Sequence, residues 1–353
     1  MIDLYSDTKT LPSPAMRAAM ANASVGDEQA DEDPSTLALC ARVAALLGME
    51  RGVFMPSGTM CNLVAILTHT RPGDELICDH QAHIVGTEAA GAAAFAGVAV
   101  RTIASAHGVF EPAQVQALLR TPSRTAPRSA LLSVEQTTNF TGGAVWPLAT
   151  LRAVRDVARH AGLRCHIDGA RLLNASAATG IAAAAYCDGW DSAWIDLSKG
   201  LGCPVGAVLC GDADFIDAAW QWKYRLGGAM RQSGILAAAG LYALDHHVDR
   251  LALDHANARL IWQHLSMASA SSTATSNLLE FDPPMPATNI LRFRFSDPAV
   301  DIHAYAAACL QAGVRIRPVD ARHLRVITHL DISSADALAA AVILRATAQR
   351  MVD

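Results

Sequence analysis

Between residues 51 and 210 the chain repeats one pattern, and that pattern restricts its fold more than any other feature. Short apolar runs at 52–55, 75–78, 98–103, 130–134, 164–167, 193–197 and 206–210 read as strands. Longer segments at 58–70, 88–95 and 147–160 lie among them, the last with apolar residues spaced at about 3.6, the helical period. Such alternation implies an α/β fold with a mostly parallel sheet covered on both faces. Open sheets of this kind place their ligands outside the carboxyl ends of the strands, so the residues that close each apolar run are where chemistry is to be sought.

Ahead of this region, Pro12-Ser13-Pro14 leads into a helix over 15–23. An acidic loop at 26–34 then precedes a helix running to 47, with Ser35 as its expected N-cap. Behind the alternating region, a long helical stretch over 233–265 leads to a Ser/Thr-rich border at 266–276. Strands at 289–295, 314–317 and 324–327 and helices at 302–312 and 334–349 follow. This arrangement predicts an N-terminal segment plus large domain over 1–248 and a smaller α/β domain, with hairpin-like pairing, over 249–353.

Two strand ends carry suggestive groups. Asp168 closes the apolar part of His166-Ile167-Asp168-Gly169-Ala170-Arg171, and Lys199 follows the next strand within the Gly-rich turn Ser198-Lys199-Gly200-Leu201-Gly202. Alone, Asp168 could be a helix cap and Lys199 a solvated lysine. Together with Arg171 they supply a carboxylate, an amine and a guanidinium, which suit the ring nitrogen, aldehyde and phenolate of pyridoxal phosphate. Gly58 and Thr59 join a strand to a helix, where free backbone N–H groups at a positive helix end suit a phosphate. His83, just past the strand at 75–78, could stack on a pyridine ring or move a proton. With His80 it also makes a spacing compatible with metal, but no third ligand accompanies the pair and no metal is expected. Arg325 interrupts an apolar strand. A buried guanidinium needs an anion there, either a substrate carboxylate held bidentately or an internal partner such as Asp331.

Composition limits the remaining possibilities. The formal net charge of -5, with a pI near 6.2 and no basic stripe, argues against a nucleic-acid partner. The most apolar stretch, 89–100, is too short to span a bilayer, and the first residues do not read as a secretory leader. Eight cysteines are scattered without a C-x-x-C pair, which points to a reducing, cytoplasmic compartment.

Segments spread nearly end to end carry a resemblance: Asp3-Leu4-Tyr5-Ser6-Asp7-Thr8, Met55-Pro56-Ser57-Gly58-Thr59-Met60, Cys78-Asp79-His80-Gln81-Ala82-His83, the Asp168 and Lys199 runs, Gly227-Gly228-Ala229-Met230-Arg231-Gln232 and Thr328-His329-Leu330-Asp331. The chain resembles the threonine aldolases of the β-eliminating lyase group, whose fold is pyridoxal-phosphate fold-type I, the aspartate-aminotransferase-like architecture. The resemblance implies cleavage of L-β-hydroxy-α-amino acids to glycine and an aldehyde. The alternatives are a β-elimination on the same cofactor, or a cofactor-binding protein without aldolase activity.

It also implies roles. Lys199 would link to the cofactor aldehyde, Asp168 would pair with the pyridine nitrogen, and His83 would stack on the ring. Gly58, Thr59 and Ser198 would hold the cofactor with Arg171, which would bond its phenolate side. Ser6, Arg171 and Arg325 would hold the substrate carboxylate, and Arg231 would contribute across a subunit boundary of a homodimer or homotetramer. Ala30, Thr138 and Tyr224 depart from the family's usual residues. They are expected to face the substrate side chain or the rim, and to favour bulky groups such as that of phenylserine.

Overall fold

The computed structural model of the protein describes residues 1–267 and 278–352. Its large sheet has seven strands in the order Arg51–Met55, Ala207–Gly211, Ser192–Asp196, Arg164–Asp168, Ser129–Glu135, Glu75–Asp79 and Ala99–Ile103. All run parallel except Ala207–Gly211, which is antiparallel to both neighbours. Antiparallel neighbours can be joined by a short connection, and the one between Ser192–Asp196 and Ala207–Gly211 is the turn that carries Lys199. Glu75–Asp79, Ser192–Asp196 and Ala207–Gly211 are buried along their whole length, as expected for strands covered on both faces.

Local packing explains two of the glycines in the motifs. The helix Gly58–His69 lays Gly58, Asn62, Ile66 and His69, one stripe at helical spacing, toward the sheet. A Cβ on Gly58 would lie 2.2 Å from the Trp194 ring, and one on Gly169 would lie 1.9 Å from the Trp194 carbonyl oxygen. Any larger residue at either place would drive the helix start or the Asp168 turn off Trp194.

The small lobe is a four-stranded antiparallel sheet in the order Arg317–Pro318, Leu324–Ile327, Ile290–Phe295 and Leu279–Phe281. It packs with the helices Ile302–Gln311 and Ser334–Arg350 over a core that includes Phe293, Tyr305, Val326 and Leu344. The chain start belongs physically to this core: Leu4 is buried in it, and Ile2–Asp3 pairs in parallel with Val314–Arg315. The helix Leu251–Ser266 joins the lobes, with Leu251 in the large core and Ile261 and Leu265 in the small one.

Several elements differ from expectation for identifiable reasons. Asp33, not Ser35, caps the helix Pro34–Leu47: its carboxylate accepts from the Thr36 amide, and Pro34 needs no partner at the first helical position. Instead of one helix over 88–95, two single turns form, His83–Gly86 and Gly91–Ala94. They are separated by Ala89 and Ala90 at φ of 51° and 56°, where Glu88 turns inward to bond Asn62 and His83. The stretch 233–265 is broken into Gly234–His246 and Leu251–Ser266, with the His247 ring bonded to the Leu201 carbonyl at the break. The strand expected over 314–317 divides between two sheets. The Ser/Thr-rich border falls largely outside the described residues. No helix among the described residues is long and apolar enough to cross a membrane.

The approach at Gly169 generates a test. Gly169→Ala should lower stability by about 1–3 kcal/mol, the usual cost of overpacking, whereas Gly86→Ala, which meets nothing within 4 Å, should not. Urea unfolding midpoints of the two variants check this, and equal midpoints would mean that the turn can move away from Trp194.

Candidate active site

A cavity of about 300 Å³ opens where the carboxyl ends of the large-sheet strands meet the small lobe. The structure brings Ser6, Gly58, Thr59, His83, Asp168, Arg171, Ser198, Lys199 and Arg325 to its wall. Arg231 is not among them. It lies at the surface of its own chain, 2.8 Å from Asp27. A separate cavity of about 210 Å³, walled by Glu28, Thr36, Cys40, Phe54 and Trp220 among others, contains none of the strand-end groups.

At the sheet edge each group is held by the residue that the strand ending places beside it. Lys199 Nζ donates to Asp196 at 2.7 Å, and the Asp196 carboxylate also accepts from the amide and hydroxyl of Ser198. Asp168 accepts from the Ala170 amide at 3.0 Å and from Asn62 Nδ2 at 2.8 Å. The Ser57 hydroxyl caps the amide of Met60. The amides of Gly58 and Thr59 precede the first intrahelical donor, so they remain free helix-end donors on the cavity wall.

His83 Nδ1 lies 2.7 Å from Glu88 Oε1, and its amide donates to the Glu135 carboxylate, which caps a helical turn that Ala82 cannot cap. Burial opposes protonation of His83. The bond to Glu88 and the charges of Asp168, Glu88 and Glu135 outweigh it and leave the imidazole more basic than usual. Loss of water around Glu135, and then the charge of Asp168, push that carboxyl up to about 7.

The arginines divide into a paired one and an unpaired one. Arg171 uses Nε and Nη2 on both oxygens of buried Asp7, at 2.7 and 2.8 Å. Burial works against the charge of Asp7, and Arg171 overcomes it, holding that carboxyl far below the usual range. The fork expected to serve phenolate and substrate is therefore occupied, which leaves Arg171 its Nη1, 3.3 Å from Asn139 Oδ1, and one hydrogen of Nη2. Among the described residues Arg325 has no such partner. Its Nη1 donates to the same Asn139 oxygen at 2.9 Å, its Nε is buried without a bond, and Asp331 instead accepts from the Leu11 amide. Burial and the charges of Arg171 and Arg317 push its pKa down to about 9. A buried guanidinium in this state has room for an anion.

These groups fit pyridoxal phosphate. Free helix-end donors suit its phosphate, Lys199 its aldehyde and buried Asp168 its pyridine nitrogen, while the Thr137 hydroxyl on the cavity wall is buried with no partner of its own.

Sequence reasoning passed over Asp7, Asn62, Glu88, Glu135, Thr137, Asn139, Asp196 and Arg317. Asp196 could have been found, since it ends its strand as Asp168 ends the neighbouring one. The others are set by tertiary contacts. The three departures from the family pattern are not on the wall of this cavity. Ala30 is exposed, Tyr224 is 62% exposed, and buried Thr138 turns its hydroxyl to the Ala144 amide. The expected preference for bulky substrates therefore has no support from the chain's own cavity.

The sequence profile described as β-eliminating lyase matches residues 3–279. The chain is 39% identical to the low specificity L-threonine aldolase of Escherichia coli (strain K12), over 94% of this chain and 95% of that protein. It is 35% identical to a probable low-specificity L-threonine aldolase of Arabidopsis thaliana, over 95% and 94%. Its fold is similar to that of the threonine aldolase of Leishmania major, with a TM-score of 0.79, 19% identity and coverage of 99% and 100%.

Glu135 gives the site a pH signature. Its pKa is raised from 4.5 to about 7, so the proton favours the folded state fully below the lower value and loses that effect as pH rises through the upper one. Glu135→Gln cannot ionise. Its amide can accept only one of the two backbone bonds that the carboxyl takes from His83 and Asn139, so its thermal midpoint relative to the native protein should rise between about pH 5 and about pH 8, and a difference that does not change with pH would refute the shift.

Proposed function

The chain belongs to the β-eliminating lyase family, and on that basis we propose the following reaction and roles. The protein is a pyridoxal-phosphate-dependent carbon–carbon lyase that cleaves L-β-hydroxy-α-amino acids, of the threonine, allo-threonine and phenylserine type, to glycine and an aldehyde. The observation that carries the reading is one cavity holding an amine, a buried strand-end carboxylate and a guanidinium without a carboxylate partner. When bound, the cofactor supplies an electron sink for the pair released as the Cα–Cβ bond breaks.

The chain's own groups do the rest. Lys199 would hold the cofactor through its aldehyde, with Nζ oriented by Asp196. Asp168 would hold the pyridine nitrogen, while Gly58, Thr59 and Ser198 would hold the cofactor's polar groups. Arg325, with Arg171 Nη1 and Ser6, takes the substrate carboxylate and so fixes which bond at Cα is aligned for cleavage. With His83 Nδ1–H directed at Glu88, Nε2 is the basic atom, able to accept the β-hydroxyl proton while Glu88 stabilises the cation formed.

Exposed Arg231 supports a contribution to a neighbouring subunit's cavity in a homodimer or homotetramer. Buried free thiols support the cytoplasm. We place the division between the lobes at 248/249, where the link into the helix Leu251–Ser266 begins.

Purified protein supplied with pyridoxal phosphate should convert L-threonine, L-allo-threonine and phenylserine to glycine plus the matching aldehyde. Ammonia without glycine would favour β-elimination, and no product would favour a non-catalytic role. Lys199→Ala should lose the borohydride-fixable link to the cofactor, and a retained link would reassign the amine. Arg325→Ala should raise KM by about tenfold to a hundredfold, the worth of charge-assisted bonds, with cofactor affinity unchanged; loss of folding would make the guanidinium structural.

A further inference from the structure

A line of side chains runs under the site from partly buried His69 to Asp168, the one of its members on the cavity wall. In the register of the two central strands His166 pairs with Ser192. The alternation of a strand then puts His166 and Asp168 on one face, and Ser192, Trp194 and Asp196 on the same face of the neighbour. The helix stripe that carries Asn62 and His69 lies over them. His69 Nε2 is 2.8 Å from Ser192 Oγ, which is 2.8 Å from His166 Nδ1; His166 Nε2 is 3.2 Å from Asn62 Oδ1, and Asn62 Nδ2 is 2.8 Å from Asp168 Oδ2.

One member fixes the direction of every bond. The indole N–H of Trp194 can only donate, and it meets Asn62 Oδ1 at 2.8 Å. The Asn62 amide must then turn its NH₂ to the two carboxylates, Asp168 and Glu88. His166 Nε2 must carry a hydrogen to reach the same oxygen. Burial keeps His69 and His166 neutral, with pKa values down to about 3, so His166 Nδ1 is bare and accepts the Ser192 hydroxyl hydrogen. Ser192 in turn accepts from His69 Nε2–H. All the hydrogens point the same way, toward Asp168. Bonds aligned head to tail strengthen one another and favour negative charge at the end they point to.

We propose that His69, Ser192, His166 and Asn62 form a one-directional relay of positioning residues that holds the Asp168 carboxylate in place and stabilises its charge toward the bound cofactor. The inference rests on the reading that Asp168 meets the pyridine nitrogen. Asn62 also donates to Glu88, the partner of His83, so one amide sets both the carboxylate and the base.

The test uses Ser192→Ala, which interrupts the relay and leaves the cavity wall intact. Apoprotein titrated with pyridoxal phosphate should bind about two- to tenfold more weakly, the range of one net hydrogen bond. Turnover should fall while KM for the amino acid stays unchanged. The affinity loss should disappear in an Asp168→Asn background, because the relay acts only through that carboxylate. His69→Gln, which keeps an N–H donor, should retain more affinity than His69→Phe. An equal loss in both Asp168 backgrounds, or a lower melting temperature with unchanged affinity, would overturn the relay and leave these side chains as packing. Native protein that fails to bind the cofactor would overturn the functional reading as well, so the two failures are distinguishable.

Discussion

The buried ion pair between Arg171 and Asp7 ties the whole arrangement together. Arg171 stands at the end of the turn after the strand Arg164–Asp168, and Asp7 stands in the N-terminal segment whose first residues pair with the small lobe. Asn289 of the small lobe also donates to Asp7. One two-pronged contact therefore joins the large sheet, the chain start and the small lobe beside the cavity, whose wall includes Arg171. Removing either partner would leave an uncompensated buried charge, which is far more costly than the pair is stabilising.

Much of this was legible in the sequence. The alternation of apolar runs and helical segments predicted the mostly parallel sheet, and the residues closing those runs pointed to the edge at which the cavity lies. His166-Ile167-Asp168-Gly169-Ala170-Arg171 could be read because its position after a strand, not its composition, carries the meaning. The Gly58 turn was legible for the same reason, although the Trp194 ring that demands glycine there comes from a strand far along the chain.

What could not be read is chiefly what each polar group is bonded to. Arg171 and Arg325 look alike in sequence, yet one has its fork filled by Asp7 and the other donates to a neutral amide oxygen and lies over the Phe140 ring. Local pattern does not reveal this, because the partners lie far apart in the chain. Helix boundaries were missed where tertiary contacts outweighed propensity, as at Glu88, whose inward turn breaks the expected Ala-rich helix. Ala30, Thr138 and Tyr224 do not line the chain's own cavity, which sequence position cannot reveal because the wall of a cavity is a matter of side-chain direction.

The cavity is also polarised. Arg317 and Arg325 lie on the small-lobe side with aromatic rings and the neutral Asn139 amide as neighbours, while Asp168 and Glu135 lie along the sheet edge, where Asp196 is paired with Lys199. A free amino acid is itself a dipole, with carboxylate and ammonium at opposite ends. Within about 8 Å, the distance over which salt at physiological strength screens charge, the field of the cleft exerts a torque that turns the zwitterion carboxylate-first toward the arginines. The ligand would be oriented before any hydrogen bond forms, and discrimination against molecules lacking either pole would begin in the encounter itself.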